Sequence, residues 1–177
     1  MAITRLGGAN AITGIIPVAN GGTGASSFSP GKILQIVQGT TSVTHTTTST
    51  TPADTGLTVD ITPASSSNKV LVMASFPVRF YKTSNYYANG MFNLKRDTTN
   101  IIARSGSNVQ DFGVEAGALG SSSYVSNPIK MHMQILDSPS TTSATTYKVQ
   151  SAAFASTSVE SMWNSQPGHI IVMEVSA

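Results

Sequence analysis

Cysteine is absent from the 177 residues, which excludes disulfides, thiolate metal sites and a cysteine nucleophile in one observation. Stability must then come from packing or from partner chains, as suits synthesis in a reducing cytoplasm. Charge is scarce as well. Asp, Glu, Lys and Arg make up 10% of the chain, against roughly 25% in an ordinary soluble domain, so solubility rests on Ser, Thr and Asn. The net charge is +2, and among the lysines and arginines only Lys95 and Arg96 are adjacent. No basic cluster with interleaved aromatics is present to track a phosphate backbone, and nucleic acid is not an expected partner. Nowhere do about 20 apolar residues follow one another, so no membrane insertion is expected. Met1 to Gly8 has no apolar stretch of signal-peptide length.

The motifs of common chemistries are missing too. His45, His132 and His169 stand far apart, without a ligand spacing or a neighbouring carboxylate cluster, and no metal or cofactor is expected. The carboxylates are Asp54, Asp60, Asp97, Asp111, Glu115, Asp137, Glu160 and Glu174. Most read as turn residues, where a carboxylate is an ordinary choice. Asp111 and Glu115 share the loop 106–127 and form the one pair that a carbohydrate-active or calcium-dependent β-sandwich enzyme could use. No Gly-x-Ser-x-Gly elbow occurs. Gly31-Lys32 is followed by Ile33, so there is no phosphate-binding loop either. The expectation is a protein that is not an enzyme.

What the chain does contain is short β-rich runs broken by turn residues. From position 29 onwards, strands are expected at 32–38, 57–61, 69–76, 91–96, 100–104, 129–136, 145–154 and 169–175. A Thr- and Ser-rich run at 42–51 reads as an exposed or edge strand. Leu57, Val59 and Ile61 alternate onto one face, as do Ile129, Met131, Met133 and Ile135, opposite Lys130, His132 and Gln134. Lys69 to Phe76 is apolar on both faces and reads as the central buried strand. Helical amphipathicity is lacking throughout. Together these features predict an all-β protein: an antiparallel β-sandwich of jelly-roll type spanning 29–177, preceded by an extended arm at 1–28. The arm carries Ile12, Ile15, Ile16 and Val18, too many apolar side chains for a solvated tail and too irregular for a helix.

Within the arm stands Pro17-Val18-Ala19-Asn20-Gly21-Gly22-Thr23-Gly24. Three glycines in four residues suit a sharp turn or close approach of neighbouring backbones, and equally a flexible connector. The tract resembles the P-V-x-N-G-G-T-G-A segment near the start of tail fibres and other fibrous virion proteins of tailed bacteriophages. Residues 55–73 are similar to a unit of the same proteins, a TGL-x-V-x-ITP strand, a Ser-rich turn and a K-V/I-L-V-M strand. The resemblance implies a structural virion protein made in the host cytoplasm, a short homotrimeric fibre or spike. Its arm, through Ile12, Ile15, Ile16, Pro17, Val18, Gly21, Gly22, Thr23 and Gly24, would hold it to other virion proteins of the tail, the portal region or the capsid. A capsid decoration protein fits the same features. Contact with a host surface glycan is an implied further role, for which the loop aromatics Tyr86, Tyr87, Tyr124 and Trp163 are the candidates. For Trp163, folding back over the core rim and burial between chains are the structural alternatives.

Overall fold

A computed structural model describes residues 32–82, 88–103, 115–116, 125–154 and 157–177. All belong to the unit Lys32–Ala177. The arm residues Ile12 to Gly24, the loop aromatics Tyr86, Tyr87 and Tyr124, and Asp111 lie outside them.

Among the described residues eleven strands run in chain order: β1 (Ile33–Thr41), β2 (His45–Thr47), β3 (Ala53–Ile61), β4 (Lys69–Lys82), β5 (Ala88–Arg96), β6 (Thr99–Ile102), β7 (Glu115–Ala116), β8 (Val125–Asp137), β9 (Thr145–Phe154), β10 (Ser158–Ser161) and β11 (Gly168–Val175). Every described pairing is antiparallel. The first sheet has the order β1-β11-β4-β8 and the second β3-β9-β5-β6. This interleaving of two Greek keys is a jelly roll, as expected from the sequence. β10 and β2 widen the first sheet, and β7 pairs with β5 in the second.

The alternating patterns explain the layering. Leu57, Val59 and Ile61 of β3 are buried, as are Val70, Val72, Phe76, Val78 and Phe80 on one face of β4. Between the sheets Phe92 meets Phe76 and Phe80 edge to face, with ring centroids 5.3 and 6.2 Å apart, the geometry that aromatic quadrupoles favour. Near Gly39 of β1 the two layers come closer still. A Cβ there would stand 1.9 Å from the Thr58 carbonyl oxygen of β3, so only glycine lets β1 lie on β3.

The placement of the carboxylates corrects the sequence reading. Asp54, Asp60, Asp137, Glu160 and Glu174 lie in strands, not turns, and two of them tie the fold together. Asp137 accepts hydrogen bonds from the Tyr147 hydroxyl at 2.7 Å and from Arg96 Nη1 at 2.7 and 2.8 Å, joining the first sheet to the second. Burial and this hydrogen bond push the Tyr147 hydroxyl far above its usual titration range. Glu174 is fully buried on the core face of β11. Its Oε1 accepts from the Ala64 N–H at 2.7 Å and from Asn68 Nδ2 at 2.6 Å, and its Oε2 from Gln35 Nε2 at 2.6 Å. One carboxylate thus fastens β1, β11 and the β3–β4 connection. Burial raises its pKa, but the Asn68, Gln35 and backbone hydrogen bonds outweigh it, and the carboxyl is held below its ordinary 4.5.

Candidate binding face

The two outer faces of the sandwich differ in chemistry. On the second sheet, cross-strand rows set Asp54 beside Gln150 and Thr58 beside Lys148 and Lys95. Lys148 Nζ lies 2.7 Å from Asp54, and Asp60 accepts the Thr146 hydroxyl at 2.6 Å. Those are side chains that water solvates well. The first sheet turns apolar side chains outward instead. The register aligns Ile36 with Met173, Met173 with Leu71 and Leu71 with Leu136, one uncharged row across four strands. Ile36 is 60% exposed and Leu136 50%. Ile33, paired with Val175, is 54% exposed and widens the row. The run 69–76 lies in the central strand of its sheet, between β11 and β8, as read from sequence, and it is apolar on both faces because one face builds the core and the other this half-exposed surface.

Towards the other end of the same face the sheet is interrupted. β11 accompanies β4 as far as His169 opposite Ser75, and β10 resumes with Ser161 opposite Val78. Residues 162–168 therefore stand against Phe76 and Pro77 alone, a large outward bulge of the kind that re-aims side chains. Pro77, which has no N–H to give, occupies the gap in the ladder. Within the bulge Met162, Asn164 and Ser165 all take left-handed backbone conformations, with φ of 51, 58 and 54°. For Met162 and Ser165 this costs about 1 kcal/mol each.

Three anchors hold the strained segment. The Met162 side chain is fully buried, and it lies close enough to β11 that a Cβ on Gly168 would come within 3.1 Å of its sulfur. Thr44 Oγ1 donates to the Met162 carbonyl at 2.8 Å and accepts the Ser165 N–H at 3.3 Å. The Trp163 ring lies over Arg79, whose Cζ is 5.5 Å from the ring centroid. Arg79 is itself fixed by a two-pronged pair to Glu160, with Nε and Nη2 both 2.8 Å from the carboxylate oxygens. Trp163 is thus half-buried, with its ring packed against Arg79.

Beside Trp163 lies a depression of about 360 Å³ lined by Pro77, Pro128, Ile129, Lys130, Trp163, Gln166, Pro167 and His169. A second, of about 610 Å³, runs on from His169 past Met73, Ser75, His132 and Gln134. Among the described residues neither is lined by a carboxylate. Of the aromatics singled out from sequence, Trp163 alone falls among the described residues. Sequence reasoning missed Lys130 and His169 as its neighbours, because strand register brings them there, whereas Gln166 follows Trp163 in the same bulge. Glu115 belongs to β7, its backbone opposite Asn89, and its proposed partner Asp111 is among the residues not described. Among the described residues no three His, Asp or Glu side chains gather as a metal would require.

No family model matches the chain, and no curated protein sequence matches it. Solved structures that share some of its shape include those of infectious bursal disease virus. For the Gx strain structure the identity is 13% and the TM-score 0.31, over 91% of this chain and 42% of that one. For the D431N mutant of the VP2 protein, from T=1 particles, the figures are 10% and 0.30, over 80% and 36%. The VP2 subviral particle gives 11% and 0.30, over 81% and 38%. This chain spans about two fifths of the length of the proteins it matches. A likeness at this level carries no argument about what the chain does.

Proposed function

We propose that this chain is a structural virion protein of a tailed bacteriophage, a short trimeric fibre or spike whose arm, residues 1–28, fastens it to the particle. The observation that carries the reading is the uncharged row Ile36, Met173, Leu71 and Leu136 on a face that has no covering layer among the described residues. Water is a poor neighbour for such a row, at about 25 cal/mol for each Å² left exposed, and the opposite face demonstrates that the fold can be finished with charge. Sister chains that cover the row remove that cost. The glycine tract at 17–24, with its likeness to phage fibre proteins, supports the assignment to a virion.

The protein is expected to run in sedimentation equilibrium at three times its 18.4 kDa chain mass. The double variant Ile36→Lys, Leu136→Lys is expected to keep its far-ultraviolet β spectrum and fall to the mass of one chain, since buried unpaired ammonium groups are not tolerated at an interface. A wild-type protein that sediments as a single chain would overturn the trimer.

The arm is tested separately. Removing residues 1–28 is expected to leave a folded protein of unchanged oligomeric mass that no longer co-purifies with particles. Incorporation at the full level would show that the arm is not the anchor.

A further inference from the structure

We infer that the depression beside Trp163 is a binding site for an acidic oligosaccharide. The site is built within one chain at the other end of the face from the Ile36–Leu136 row, and if that row is covered as proposed, the inference requires that the Trp163 end stay open.

Four independent features converge there. The bulge at 162–168 breaks an otherwise continuous ladder to place one indole at the surface, and it does so against backbone strain at Met162 and Ser165. Strain that the surroundings hold in place marks a segment retained for something other than stability. The indole is also fixed in advance, by Arg79 over the ring and Glu160 behind Arg79, so a ligand that stacks on it finds its platform already ordered. The apolar C–H face of a pyranose ring is a flat partner for such a platform, and the prolines Pro77, Pro128 and Pro167 supply walls that lose no freedom on binding.

Polar groups then select the ligand. Lys130 lines the depression and forms no ion pair among the described residues. Gln166 is exposed and offers an amide. His169 stands at the junction of the two depressions, and its Nδ1 is engaged by Gln38 Nε2 at 3.0 Å. When the Gln38 amide donates that bond, the neutral ring carries its proton on Nε2, a donor left for a hydroxyl or carboxylate. His132 lies along the continuation of the groove. With donors on its lining, no carboxylate among the described residues there, and Glu160 neutralised by Arg79, the site is complementary to a sugar that bears negative charge. One lysine and two histidines are too few to follow a phosphate backbone, which sets an oligosaccharide above a nucleic acid. The two depressions meeting at His169 give room for more than one sugar residue.

The chain has one tryptophan, so indole emission excited to the red of the tyrosine band reports on this site alone. Titrating the purified protein with oligogalacturonate hexamers is expected to shift Trp163 emission with saturation, while neutral dextran oligomers of equal length bind at least tenfold more weakly. Lys130→Ala is expected to weaken oligogalacturonate binding at least fivefold with the emission change preserved. Trp163→Ala, followed by calorimetry, is expected to abolish it, and Trp163→Phe to retain part of it, which separates loss of the platform from loss of the fold. Equal affinity for neutral and acidic oligomers, insensitivity to Lys130→Ala, or tighter binding of single-stranded oligonucleotide than of oligogalacturonate would each overturn the inference. So would a lack of response to oligogalacturonate.

Discussion

Replacing Glu174 with alanine is expected to lower the unfolding free energy by about 4 kcal/mol, read as a fall in urea midpoint at unchanged slope. The size follows from what the carboxylate leaves behind. The Ala64 N–H and the amides of Asn68 and Gln35 all point at it, and a buried donor that loses its acceptor costs about 1–3 kcal/mol. Gln35 keeps its second bond, to the Thr62 carbonyl at 2.8 Å, so the three losses do not reach their full sum. Glutamine at 174 is expected to do less damage, since its amide oxygen still accepts while its NH₂ group faces a donor.

Acid separates the wild type from both variants. The Glu174 pKa is held below its ordinary 4.5 in the folded chain, so its ionised form stabilises the fold. That contribution is complete above about pH 4.5, the unfolded value, and is lost as pH falls through the lower folded value. The wild-type protein is therefore expected to lose stability on that acid limb, and Glu174→Gln to lack this component. Equal acid sensitivity in both proteins would remove the carboxylate from the account.

Gly39→Ala is expected to cost about 3 kcal/mol and to act on one edge of the molecule. The added methyl would stand 1.9 Å from the Thr58 carbonyl oxygen, which is backbone and cannot rotate away. Either β1 or β3 must shift, each an edge strand that pairs with one neighbour among the described residues, β1 with β11 and β3 with β9. Hydrogen exchange is expected to speed up over 33–41 or 53–61 and at the partner positions in β11 or β9, with little change in β5. Because β1 carries Ile36, the same substitution is expected to loosen the proposed trimer. Unchanged exchange in both strands would show that the methyl is tolerated at position 39.

Much of the architecture was legible because period-two patterns are local. Ile129, Met131, Met133 and Ile135 in β8 announce their face without reference to any other strand, and Leu57, Val59 and Ile61 do the same in β3. In β4 the pattern misled in an instructive way, since outward Leu71 and Met73 look like core residues when the destination of each face is unknown. β10 went unread because Ser158-Val159-Glu160-Ser161 offers one apolar residue, and its place is set by pairing with β4 and β2. The same limit hid the carboxylate networks. Arg96 and Asp137 are 41 positions apart, and Gln35 and Glu174 are 139 apart, so no local signal joins them. Around Trp163 the polar composition identified a turn, but its support by Arg79, Glu160 and Thr44 comes from three separate segments.

The interrupted ladder on β4 also bears on how this protein can diversify. Ser161 and His169 are each pinned to β4 by regular pairing, so the stretch between them behaves as an insert clamped at both stems. So long as Met162 and Gly168 keep their packing, the five positions from Trp163 to Pro167 can be rewritten without reaching the core. New surface specificities could therefore be grafted there while the scaffold stays the same.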